Sequence, residues 1–171
     1  VCSSDLNREL ARDIILSIII ILAQLLIFNH MNLFGTINPF IYVSLFILYK
    51  TSYDKTYLII FGFLVGLIID LSMQTYGIHT LASITVCYLK EKIEKYSFGV
   101  NSILPLAMIS GTQLTNRITY FLIIIFLHSL IYFSLIFFKF EFTLTIFLYT
   151  LINSIINFII IWIISKLIFD K

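Results

Sequence analysis

The side chains able to do chemistry in this chain are few, and one of them stands apart. Asp70 closes an apolar run that begins at Phe61 and contains neither Lys nor Arg. An ionisable group at membrane depth is expensive, so Asp70 ranks first as a site residue. It falls at the C-terminal end of its helical run, where a negative charge opposes the helix dipole and calls for a compensating partner. His79, at the start of the next apolar run, is the nearest partner in sequence, and an Asp70–His79 contact would brace the hairpin. Hydration at the interface, or bonding to backbone N–H groups of the turn, would serve Asp70 equally well; a partner- or ligand-binding role is the sharper alternative. Gly62, Gly66 and Asp70 recur every fourth residue, which on a helix lines them along one stripe where a second helix can approach the backbone closely.

Other polar groups sit singly in apolar runs. Gln24, His128, Asn153 and Asn157 are uncharged, and Asn153 and Asn157, four apart, share a helix face as interhelical hydrogen-bond glue requires. His128 lies near the middle of its run with no second His, Cys or carboxylate at ligand spacing, so a metal site is not expected there. Tyr42, Tyr57, Tyr120 and Trp162 fit interface belts or packing. Cys2 and Cys87 are too far apart in sequence to suggest a disulfide framework or a thiolate site. No H-E-x-x-H, G-x-S-x-G or phosphate-cradling glycine loop occurs, no acids are paired within one segment, and neither catalysis nor a cofactor is expected.

The elements that must position these residues are set by composition. Hydrophobic residues make up 60% of the 171, 17 of them Phe, and only 12% are charged; the mean hydropathy is +1.05. Those values place the chain among polytopic membrane proteins, folded as one integral membrane domain over residues 1–171 with no nucleic-acid partner. The start, residues 1–6, shares no periodicity with the rest of the chain and reads as foreign or truncated. The first run has no small-x-small cleavage site after it and counts as a span.

Apolar runs between charges predict six spans: Ile14–Phe28, Pro39–Tyr49, Tyr57–Leu71, Tyr76–Leu89, Ile118–Phe138 and Leu144–Ile164. The second to fourth are shorter than the roughly 20 residues of a free-standing span. Asn38-Pro39 reads as a cap followed by proline at the first helical position. With six crossings and a cytoplasmic N-terminus, Arg8, Arg12, Lys50, Lys55, Lys90, Lys92, Lys95, Arg117, Lys166 and Lys171 share the inner side, and Lys139 alone lies outside. The outer loops are then all short. The inner loop from Lys90 to Arg117 opens as a solvated helical extension with opposite charges at helical spacing. Lys90, Lys92, Lys95 and Arg117 mark it as a docking surface, or as a plain connector held near anionic lipid. Ile103–Ile109, interrupted by Pro105, is expected to lie along the interface.

The order of these features resembles the MreD family of rod shape-determining proteins, in a form like that of Bacteroidota. The resemblance rests on Gln24, on Asn38-Pro39-Phe40-Ile41-Tyr42, on Gly62-x-x-x-Gly66 with Asp70, on Gly77-Ile78-His79-Thr80 leading to Tyr88-Leu89-Lys90, and on His128 with Phe137-Phe138-Lys139-Phe140-Glu141. It implies a non-catalytic inner-membrane scaffold, both termini cytoplasmic, that binds the bitopic MreC and through it MreB, RodA and a class B penicillin-binding transpeptidase. It also implies an all-α six-helix bundle similar to the substrate-binding subunits of energy-coupling-factor transporters. The alternative function carried by that fold is a vitamin-type small-molecule binding subunit, which would need several polar groups converging near one end of the bundle.

Overall fold

A computed structural model describes residues 3–31, 38–50, 54–99 and 112–169. Among the described residues every regular element is helical. The long helices are α1 (Ser3–Leu26), α3 (Lys55–Met73), α4 (Ile78–Phe98), α5 (Leu114–Phe137) and α6 (Thr143–Phe169), and α2 (Val43–Leu48) is a single short turn-and-a-half. Within residues 10–30, 55–73, 114–137 and 143–168 lie four stretches long and apolar enough to cross a membrane. Large apolar side chains point outward along them, including Ile14, Ile18, Leu22 and Leu26 on α1 and Leu144, Ile155 and Ile163 on α6. Such surfaces are stable against hydrocarbon and not against water, so this is a multi-pass membrane protein.

The packing is sequential: α3 lies against α4, α4 against α5, and α5 against α6. Local chemistry sets the boundaries. Asp54 caps α3 by accepting from the Thr56 N–H at 2.8 Å, as an acceptor side chain at that position should. The α3–α4 turn uses the left-handed region at Gln74 (φ 56°), Tyr76 (φ 53°) and Gly77 (φ 94°). The Gln74 N–H closes α3 by donating to the Asp70 carbonyl.

One expectation needs correction. The run Pro39–Tyr49 is not a free-standing helix: only Val43–Leu48 is α-helical, about 9 Å of rise against a hydrocarbon core of about 30 Å. The helix does not start at Pro39 because the Pro39 carbonyl and the Tyr42 N–H, which a helix from that point would use, bond to the side chain of Gln24. Three-residue turns lead in, with Val43, Ser44 and Leu45 donating to Phe40, Ile41 and Tyr42. Every residue from Phe40 to Ile47 is buried, so this stretch is a core segment of the bundle rather than a lipid-facing rod. At the start, Ser3 to Leu6 belong to α1. The interfacial segment expected over 103–109 lies outside the described residues.

Side-chain contacts fix how the buried stretch runs. Pro39 meets Gln24 near the end of α1, while Lys50 pairs at 2.8 Å with Asp13, about three turns earlier on that helix. Pro39 and Lys50 therefore sit toward opposite ends of the bundle, antiparallel to α1.

Candidate functional site: a polar core threaded by residues 39–42

Non-helical backbone at membrane depth is tolerated only when protein groups satisfy it. Residues 39–42 meet that condition through two side-chain amides. Gln24 donates from Nε2 to the Pro39 carbonyl at 3.0 Å and to Asn29 Oδ1 at 2.9 Å, and its Oε1 accepts from the Tyr42 N–H at 3.3 Å. Asn157 on α6 accepts the Phe40 N–H on Oδ1 at 2.5 Å, while its Nδ2 donates to the carbonyl and the Oδ1 of Asn153. Gln24, Asn153 and Asn157 are thus one device: they hold the unwound lead-in of α2 from α1 on one side and α6 on the other. Interhelical glue describes only part of that role.

Past the lead-in, Tyr42 carries the centre of the site. Its hydroxyl lies 2.8 Å from His79 Nδ1 on α4 and 2.7 Å from His128 Nε2 on α5. All three residues are fully buried. Phe40 packs its ring edge-on against both imidazoles and Tyr132, with centroids 5.2, 5.5 and 4.7 Å away. The structure brings together His79 and His128, which sequence reasoning treats separately, through a tyrosine that reads from sequence as belt or packing. The sequence signal is faint: a tyrosine buried in an all-apolar run must find a partner for its hydroxyl.

Asp70 does not touch the His79 ring. Its Oδ1 accepts from Thr75 Oγ1 at 2.5 Å and the His79 N–H at 3.0 Å, and its Oδ2 accepts from the Thr80 N–H at 2.8 Å and Thr80 Oγ1 at 2.5 Å. The N-cap of α4 is Gly77, which has no side chain to offer. Asp70 therefore caps α4 from the end of α3, placing its carboxylate where the α4 dipole favours it and compensating the unfavourable dipole of its own helix. The contact expected between Asp70 and His79 is made by the backbone of His79, which leaves its ring free for Tyr42.

The Gly62–Gly66 stripe is filled from within. A Cβ on Gly66 would fall 2.5 Å from Thr80 Cα and 2.9 Å from Thr80 N, and one on Gly62 would fall 2.6 Å from Cys87 Sγ. The close approach foreseen at these glycines is the α3–α4 contact itself, so the stripe is not open to a partner helix.

At the other end of the bundle the charges divide into two groups. Lys90 is 2% exposed, bonded to Glu94 and to the Tyr49 carbonyl at 3.0 Å. Tyr120 Oη lies 3.3 Å from the Ile47 carbonyl and 3.4 Å from Glu94 Oε1. Lys90 is consequently an internal brace and not a docking residue, and the helical extension is only half solvated, with Ile93, Glu94 and Ser97 buried. Arg117 is also drawn inward, its guanidinium donating to the Thr112 carbonyl at 3.4 Å and lying 5.9 Å from the Trp162 ring. Lys92 and Lys95 face outward. Glu91, beside them, accepts from Lys95 Nζ at 2.6 Å and lies 3.6 Å from Lys55. The hydrogen bond from Lys95, then the charges of Lys95 and Lys55, hold the Glu91 carboxyl below its usual range.

Among the described residues no three His, Cys, Asp or Glu side chains gather as metal ligands would. Compared with family models, curated proteins and solved structures, the chain gives no match.

Proposed function

We propose that the chain is a non-catalytic membrane scaffold of the cell-elongation machinery, an MreD-like protein that binds MreC and through it engages MreB, RodA and a class B penicillin-binding transpeptidase. The observation that carries the proposal is the rigid continuation of α4. The helix runs unbroken from Ile78 beside Asp70 to Phe98, and its distal turns present Glu91, Lys92, Lys95 and Tyr96 outward. Buried Lys90 and Glu94 fix the base of that extension against Tyr49 and Tyr120. A charged face on a helix braced against the bundle as far as Phe98, whose ring lies 5.5 Å from that of Tyr120, is suited to receive a partner in one orientation. The ordered series of Gln24, Asn38-Pro39, Gly62, Gly66, Asp70, His79 and His128 supports the family assignment.

The finer architecture belongs to the same proposal. The short buried stretch counts as the second of six crossings, both termini face the cytoplasm across the bacterial inner membrane, and the bundle is of the energy-coupling-factor substrate-binding type. The opposed ends of residues 39–50 favour the six-crossing arrangement. Affinity capture of the solubilised protein at native expression tests the function: MreC should be retained, and less of it by a Lys92→Glu/Lys95→Glu variant. Capture that never contains MreC would remove the scaffold reading.

A further inference from the structure

The Tyr42 hydroxyl has one proton and touches two imidazole nitrogens. It donates to one and must accept from the other, so one ring presents N–H to the tyrosine and the other presents a lone pair. The outward nitrogens, His79 Nε2 and His128 Nδ1, are both buried and without a hydrogen-bond partner. For neutral rings, either assignment leaves one of them an N–H donor and the other a bare acceptor. Beside them on α5, Ser129 Oγ is in the same condition, as are Thr150 Oγ1, Asn153 Nδ2 and Ser154 Oγ on α6.

Helix register brings these groups to a common depth. Phe121 meets Trp162 at 5.3 Å and Phe133 meets Tyr149 at 5.7 Å, so in the antiparallel α5–α6 pair Ser129 is level with Asn153 and Ser154. Phe40 joins the two sets, its ring against both histidines and its N–H on Asn157, which in turn holds Asn153.

We propose that the bundle core between α4, α5 and α6 binds a small neutral ligand that both donates and accepts hydrogen bonds: internal water, or a hydroxyl-bearing solute of similar chemistry. A bare cation is disfavoured because the Asn153 amide and one imidazole offer N–H groups. A bare anion is disfavoured by the lone pair of the other imidazole. An amphoteric molecule satisfies both, and buried polar groups left unpaired in hydrocarbon are costly enough to hold one. The proposal is independent of the scaffold reading.

X-ray hydroxyl-radical footprinting of the full-length protein in detergent micelles, run in 18O-water, tests it. Radicals generated from bound water label the side chains beside it. Phe40, Tyr42 and Tyr132 should incorporate label at least several-fold faster than Phe121, which is buried against Tyr120 and Trp162. If a solute fills the site, labelling stays low, and native mass spectrometry of the intact protein shows a retained neutral mass that a Tyr42→Phe/His128→Phe variant lacks. Either result supports the site. Labelling no faster than at Phe121, with no retained mass, overturns it, and that reference within the same protein keeps the outcome meaningful even if the variant folds poorly.

Discussion

At the scale of single residues, the cost of removing a side chain depends on what it leaves behind. Asp70 accepts four hydrogen bonds at the start of α4, two from backbone N–H groups and two from threonine hydroxyls. Asp70→Asn keeps the shape but turns one oxygen into a donor facing other donors, and removes the charge that the helix dipole favours. A loss of about 2–3 kcal/mol is expected, since a hydrogen bond to a charged group contributes roughly that much, and it should appear as a lower unfolding midpoint in detergent. Asn157→Ala orphans the Phe40 N–H and removes both bonds to Asn153, costing about 1–3 kcal/mol by the same measurement. Tyr57→Phe, by contrast, alters a residue 68% exposed and should leave the midpoint unchanged. Asp70 was legible as a candidate because charge in an apolar run is rare. Backbone N–H donors beside the turn were among its expected partners; the hydroxyls were not, because Thr75 and Thr80 look like ordinary turn and helix residues until the hairpin closes on them.

At the scale of elements, the α3–α4 hairpin and the buried α2 stretch show opposite degrees of legibility. The glycine spacing announced a close helix contact, and α4 makes that contact. The two glycines are nevertheless unequal. Gly66 faces the backbone of Thr80, which cannot move without shifting the start of α4, whereas Gly62 faces the sulfur of Cys87. Gly66→Ala is therefore expected to cost about 1–3 kcal/mol, the usual range for overpacking. Gly62→Ala should cost less, and pairing it with Cys87→Ala should recover most of the loss, while no substitution at Cys87 should help Gly66→Ala. Thermal unfolding of the single and double variants separates these outcomes; equal recovery in both pairs would show that the glycines do not act through the neighbours named. Residues 39–49 were harder to read. Their composition is that of a helix, and Pro39 is well placed to begin one, but local propensity says nothing of Gln24, distant in sequence, which takes the Pro39 carbonyl and the Tyr42 N–H that a helix would use, or of Asn157, which satisfies the Phe40 N–H.

At the scale of the whole molecule, the polar contacts sort by depth. Asp13–Lys50, Lys90–Glu94 and Lys55–Glu91 link the first half of α1, the end of the buried stretch, the beginning of α3 and the distal part of α4. Asn29–Ser72 and the Asp70 cap lie where α1 and α3 finish and α4 begins. Successive segments therefore alternate in direction, and the ion pairs with most of the basic residues collect at one end. Lys139 follows the end of α5, at the opposite end from Arg117. If the bundle stands across a bilayer, the alternation puts Lys92 and Lys166 on one face and Lys139 on the other, and the retention of basic residues on the cytoplasmic side makes the first face the inner one. Single-cysteine variants Lys92→Cys, Lys139→Cys and Lys166→Cys, made with the two native cysteines replaced and treated in intact cells with a membrane-impermeant maleimide, should label only at position 139. Permeabilising the cells should then expose 92 and 166 together. Labelling of 92 and 166 on different sides would mean that α5 or α6 fails to cross, whereas a 39–50 stretch that turned back would leave that pair together and move Arg8 and Arg12 to the side of Lys139.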